Sequence, residues 1–176
     1  ENGAGKSTLM KILSGAYTAN AGTISVFGET IEHPSPATMI GKGVAVIYQE
    51  MAQAPHLSVA ENVLLGRLPR RAGGLVDWPE ARRQTAAVLA RLGFDIDPRA
   101  RIDTLSVAKR QMVEIARALT RNARIIVLDE PSAVLAASEI AQLFAIIRKL
   151  SAEDGVAFVY ISHRLVEVFD IAETVT

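Results

Sequence analysis

The residues with the clearest chemistry stand at the beginning of the chain. Gly3, Ala4, Gly5, Lys6, Ser7 and Thr8 match the closing part of a G-x-x-x-x-G-K-[ST] phosphate loop, and Leu9 to Leu13 continue it as a helix. Glycines let successive backbone N–H groups turn toward one concave point without Cβ clashes. The helix that follows aims the positive end of its dipole at the same point. Lys6 can then reach the outer phosphates of a nucleoside triphosphate, and the Ser7 hydroxyl can ligate Mg²⁺. The first glycine of the motif would stand one place before Glu1, and the strand that feeds such a loop would lie farther upstream. The chain is therefore expected to be an incomplete unit with a bared sheet edge, poorly soluble and weakly active by itself.

A second chemical signal is the acid pair Asp129 and Glu130, which follows the apolar run Ile125-Ile126-Val127-Leu128. One carboxylate of such a pair can hold Mg²⁺, often through water, while the other polarises attacking water. Together with the phosphate loop, the pair accounts for both halves of a metal–nucleotide site. Other polar residues carry less. His33 lies beside prolines and His56 follows Pro55, so both read as loop histidines. Ser162, His163 and Asp129 do not make a hydrolase triad, because no nucleophile elbow accompanies them and the phosphate loop would be left without a role.

Short Val- and Ile-rich runs must deliver these groups. Thr23 to Phe27, Val44 to Tyr48, Ile125 to Leu128 and Ala157 to Ile161 read as buried strands, three of them leading straight into polar residues. Ala172 to Thr176 reads as the start of another. Between Val59 and Leu119 the texture is helical. Ser58 with Glu61 makes a capping box, and Asp77, Pro79 and Glu80 start a helix that ends near Gly93. Gly66 to Leu75 is a loop between helices. The tetrapeptide Leu-Ser-Val-Ala occurs at 57–60 and again at 105–108, each copy with serine placed to cap a helix. The second copy is followed by Lys109 and Arg110, a setting that favours an anion. Met112, Ile115, Ala116 and Leu119, and likewise Leu143, Ile146, Ile147 and Leu150, recur at helical spacing and are assigned to the core.

Composition bounds the alternatives. The 176 residues are 49% hydrophobic, so a sizeable core forms without disulfides, and with no cysteine neither a disulfide scaffold nor a thiolate zinc site can exist. Nineteen basic residues cancel nineteen acidic ones, which leaves no global field to attract nucleic acid or anionic lipid. No run reaches the roughly 18 to 20 apolar residues of a membrane-spanning helix, and Glu1 to Ser7 do not form a secretory signal.

Five motifs then fall in one order: Gly3 to Thr8; Gln49 after a strand; Leu105-Ser106 opening a helix; Leu128-Asp129-Glu130-Pro131-Ser132; and His163 after Ile161-Ser162. In this order and over essentially the whole chain, the sequence resembles the ABC transporter ATPases. The resemblance implies an α/β P-loop NTPase fold of the ABC ATPase type, with an inserted helical subdomain and both ends truncated. It implies one incomplete domain over 1–176, with 1–50 and 121–176 as a RecA-like core and about 51–120 as the helical subdomain. The cofactors implied are ATP and Mg²⁺. Asn2, Gly3, Ala4, Gly5, Lys6, Ser7 and Thr8 would bind the nucleotide, Ser106 would face the nucleotide of an opposing cassette, and Ser7, Gln49 and Asp129 would serve the metal. Glu130 corresponds to the general base, His163 to the switch histidine near the γ-phosphate, and Gln49 to the loop that senses nucleotide and contacts the permease. Met51, Gln53 and Leu57 would face that permease.

Asp77-Trp78, Leu92-Gly93, Leu105-Ser106-Val107-Ala108 and Gln111 to Leu119 resemble more narrowly the first of two ATPase halves in bacterial monosaccharide importers. The partners implied are transmembrane permease subunits, a second ATPase half in a head-to-tail ATP sandwich and, indirectly, a periplasmic sugar-binding protein. The location implied is peripheral, on the cytoplasmic face of the bacterial inner membrane, with no nucleic acid partner. An ABC-type ATPase acting on nucleic acid, and a nucleotide-binding fragment without turnover, are the alternative readings. Three departures stand out. Val107 and Ala108 replace paired glycines, so a Cβ at Ala108 limits backbone approach to a γ-phosphate. Lys109 replaces glutamine, and Ala136 stands where many of these ATPases carry aspartate.

Overall fold

The computed structural model describes residues 5–175, apart from the side chain of Ser7. The expectations for Asn2, Gly3, Ala4 and Thr176 lie outside the described residues. The chain runs through α1 (Lys6–Leu13), β1 (Ser25–Val26), β2 (Glu29–Thr30), α2 (Pro36–Gly41), β3 (Val44–Ile47), α3 (Val59–Val63), α4 (Trp78–Arg91) and a 3₁₀ turn (Ile102–Thr104). It continues through α5 (Val107–Thr120), β4 (Ile125–Asp129), α6 (Ala137–Asp154), β5 (Ala157–Ile161) and α7 (Leu165–Ile171).

The apolar run of β4 has no alternation because both of its faces are covered, and the strand sits at the middle of a parallel sheet ordered β3-β4-β5. Ile47 pairs with Leu128, and Leu128 with Tyr160, so all three strands end at one edge. Residues that follow those ends are thereby gathered, as expected for chemistry at the carboxyl ends of an open α/β sheet. Leu143, Phe144, Ile146, Ile147 and Leu150 of α6 are buried, and the Phe144 ring meets Tyr160 of β5 edge-on, with centroids 5.7 Å apart.

Helices α3, α4 and α5 pack on one another. Ser58 accepts the Glu61 N–H at 3.3 Å while the Glu61 carboxylate accepts the Ser58 N–H at 2.8 Å, completing the capping box. The second Leu-Ser-Val-Ala copy behaves alike, with Ser106 capping α5 by accepting the Lys109 N–H at 3.4 Å. Asp77 caps α4, and Gly93, just past its end, takes a φ of 77°. The Met112 stripe is buried except for a half-buried Leu119.

Two strand expectations are corrected. Thr23 to Phe27 is not one strand: only Ser25–Val26 is, because Phe27 and Gly28 both take positive φ (52° and 82°) and turn the chain into an antiparallel hairpin with β2. The Phe27 ring lies under the Arg124 guanidinium at 3.8 Å. Residues 172–175 form no strand; α7 closes with the Ala172 N–H donating to the Val168 carbonyl at 2.9 Å.

Candidate functional site

The site is assembled from the carboxyl edge of the sheet and the start of α1. Gly5 caps α1 with a φ of 84°, a left-handed conformation that a Cβ disfavours, and no acid occupies the first helical turn. The end of α1 is tied to β3 by the Tyr48 hydroxyl, which donates to Ser14 Oγ at 2.8 Å. Lys6 is half-buried, Ser7 lies in the first turn and Thr8 is exposed. The expectation for the Ser7 hydroxyl lies outside the described side chains.

Asp129 is the last residue of β4 and Glu130 the first beyond it. Glu130 takes a φ of 47°, costly for a residue with a Cβ, and its N–H donates to the Ile161 carbonyl at 2.9 Å. This twist brings the Glu130 carboxylate to 3.3 Å from His163 Nδ1, although 33 positions separate the two in sequence. Burial pushes the Asp129 carboxyl above its ordinary range and the neighbouring Glu130 charge pushes the same way, while the Lys6 ammonium pulls it down. Lys6 and the acid pair therefore share one electrostatic neighbourhood. Gln49 is exposed, two residues past the end of β3, at the same edge.

Other expected residues stand apart from this cluster. Ser106 is exposed at the start of α5. Ala108 is 9% exposed and belongs to the main core cluster. Gln53 also differs from expectation. Its Nε2 donates to the Arg110 carbonyl at 2.7 Å and its Oε1 is buried with no partner among the described residues, so it braces the Gln49 loop against α5 instead of facing outward. His56 forms an exposed cluster with Arg101 and Asp103.

Sequence reasoning missed the group that braces the Glu130–His163 pair. Glu167, in α7, is buried and accepts hydrogen bonds from Ser132, Tyr160 (2.8 Å), Ser162 (3.3 Å) and Arg164 (3.0 Å). Burial pushes its carboxyl up, but the hydrogen bonds from Ser132, Tyr160 and Arg164 outweigh this and hold it below the ordinary range. The only sequence signal was an acid four residues beyond His163.

This geometry, a lysine-headed helix facing an acid pair at the end of a central parallel strand, coincides with a family match. The family model described as ABC transporter matches residues 1–133. The chain belongs to the ABC transporter family. Among curated ABC transporter relatives, it is 54% identical over 176 residues to the ribose import ATP-binding protein RbsA of Chelativorans sp. (strain BNC1), covering all of this chain and 34% of that protein. It is 52% identical over 176 residues to the ribose import ATP-binding protein RbsA 1 of Rubrobacter xylanophilus, covering all of this chain and 35% of the relative. The chain thus spans about a third of the length of these relatives. Among solved structures, the ADP conformation of an ATP-binding cassette of an ABC transporter superposes with a TM-score of 0.82 at 27% identity, covering 98% of this chain and 71% of the other. The fold is that of the ABC ATPase cassettes, an α/β P-loop architecture.

Proposed function

We propose that this chain is the ATP-binding and ATP-hydrolysing cassette of a bacterial ABC importer for monosaccharides. The observation that carries the reading is the Glu130–His163 contact of 3.3 Å beside the Lys6–Asp129 neighbourhood, at the edge where the strands end. Asn2 to Thr8 would cradle the triphosphate, with Lys6 neutralising its outer charge. The donors proposed for Mg²⁺ are the Ser7 hydroxyl, the Gln49 amide oxygen and the Asp129 carboxylate. All are hard oxygen donors of the kind this ion takes, and a carboxylate raised by burial and a like charge gains most from a nearby cation. When bound, Mg²⁺ supplies neutralisation of phosphate charge.

Glu130 would accept the proton of attacking water, and His163, a neighbour of its carboxylate, would hold that carboxylate in line and reach toward the γ-phosphate. Ser106, at the head of α5, would offer its hydroxyl and the helix N–H groups to the nucleotide of a second ATPase half. Residues 1–50 and 121–176 would act as the RecA-like core and about 51–120 as the helical subdomain. Hydrolysis would separate the two halves, and the Gln49 loop, braced by Gln53 against α5, would pass the motion to transmembrane permease subunits. A periplasmic sugar-binding protein would act indirectly, through the permease. The cassette would sit peripherally on the cytoplasmic face of the inner membrane. Among the described residues no helix is long and apolar enough to cross a membrane.

The relatives named for ribose import support the sugar class. The zero net charge gives no support to a nucleic acid partner. Isothermal titration of the full-length protein with a non-hydrolysable ATP analogue tests the reading. Lys6→Ala is expected to weaken binding by at least about tenfold, in keeping with the strength of a charge-assisted contact; undiminished affinity would refute the phosphate-loop assignment.

A further inference from the structure

Glu167 is 8% exposed, yet it accepts from three hydroxyls and a guanidinium. Ser132, Tyr160 and Ser162 converge on Oε2 and Arg164 on Oε1, and an ionised carboxylate, an acceptor at both oxygens, suits this set of donors better than a neutral acid or an amide, each of which carries a donor of its own. The donors come from different places. Ser132, itself 2% exposed, lies two residues beyond Glu130, and the Ala133 N–H donates back to the Glu130 carbonyl at 3.2 Å. Ser162 and Arg164 flank His163, and the Arg164 N–H donates to Ser162 Oγ at 3.0 Å. Tyr160 belongs to β5 and is held edge-on by Phe144 of α6. One buried carboxylate therefore fastens the segment that carries Glu130 to the segment that carries His163, with a rigid strand residue as its anchor.

We propose that Glu167 is a positioning residue for hydrolysis, setting the separation between Glu130 and His163 by clamping Ser132 to the Ser162–Arg164 segment. The inference rests on the reading of Glu130 and His163 given above. Glu167 makes no hydrogen bond or ion pair with either of those side chains among the described residues, so its effect is on geometry and belongs to kcat rather than to nucleotide affinity. Misplacing a reacting group by about 1 Å can cost on the order of 10²-fold in rate.

The test uses the full-length protein assembled with its partner subunits and measures kcat and KM for ATP together with the affinity for a non-hydrolysable analogue. Glu167→Ala is expected to lower kcat by about tenfold or more, with KM and analogue affinity within about twofold of wild type. Glu167→Gln, which keeps an acceptor for Tyr160 and Ser132, is expected to recover part of that loss. Tyr160→Phe keeps the ring against Phe144 and removes one donor, and Ser132→Ala removes another; each is expected to lower kcat by about threefold with KM unchanged, so these two decide the matter if Glu167→Ala does not fold. Wild-type kcat in Glu167→Ala, or in both Tyr160→Phe and Ser132→Ala, overturns the proposal. So does a loss of analogue affinity that matches the loss of kcat. Glu130→Gln and His163→Ala are run alongside: if both abolish turnover while the Glu167 set does not, only the positioning role falls, whereas wild-type turnover in either removes the underlying reading and this inference with it.

Discussion

Gly15 follows α1 with a φ of 74°, and a methyl group placed on it would stand 2.3 Å from the carbonyl carbon of Ser35, 2.5 Å from its oxygen and 2.8 Å from the nitrogen of Pro36. Those atoms are backbone and cannot swing aside as the tip of a side chain would. Ser35 caps α2, so admitting the methyl means pushing apart the helix behind the phosphate loop and its neighbour. A residue with a Cβ in the left-handed region costs about 1–2 kcal/mol, and overpacking adds about 1–3, so Gly15→Ala is expected to lose about 2–5 kcal/mol of stability. Gly93→Ala is the matched control: its φ is 77°, but no atom of the described residues lies within 4 Å of the added carbon, so only the backbone term of about 1–2 kcal/mol applies. In urea denaturation followed by far-ultraviolet circular dichroism, a slope of about 2 kcal/mol per M puts the Gly15→Ala midpoint about 1–2.5 M below wild type, and that of Gly93→Ala about 0.5–1 M below. Equal shifts in the two variants would refute the claim that the Ser35–Pro36 backbone holds this end of α1 in place.

Glu61→Ala breaks the capping box of α3 and is expected to cost about 1 kcal/mol, read from the same denaturation curves; an unchanged midpoint would count against the cap. Glu167 and Glu114 should respond to acid with opposite signs. Hydrogen bonds hold the Glu167 carboxyl below its unfolded value of 4.5, so its stabilisation is present above that pH and is lost as pH falls through the lower folded value. The stability gap between wild type and Glu167→Gln should therefore narrow as pH falls below 4.5. Burial holds the Glu114 carboxyl above 4.5 despite its ion pair with Arg117 at 2.9 Å, so its contribution is complete below 4.5 and declines as pH rises through the folded value. Glu114→Gln should gain on wild type as pH rises across that range, and a constant difference would refute the assignment.

The apolar run at β4 was legible because a strand covered on both faces carries no alternation, and the serine caps were legible because their partners lie three residues away. The acid pair Asp129 and Glu130 could be named because it closes a buried strand, whereas Gln49 and His163 were named through the family resemblance. The hairpin turn at Phe27-Gly28 was not legible: phenylalanine rarely takes positive φ, and here its ring is held by Arg124, 97 positions along the chain. The inward turn of Gln53 likewise depends on a carbonyl 57 positions away. Glu167 was not legible because two of its partners, Ser132 and Tyr160, meet it only after β4 and β5 have paired. The twist at Glu130 is of the same kind, since the Ile161 carbonyl that receives its N–H belongs to the neighbouring strand.

The central claim is that Glu130, held beside His163, acts on the water that attacks the nucleotide. Its most direct test is single-turnover hydrolysis of bound ATP by the full-length Glu130→Gln protein, with ATP binding measured on the same sample. The account predicts binding within about twofold of wild type and a cleavage rate lower by roughly 10²–10⁴-fold. Cleavage at the wild-type rate with binding intact would contradict it.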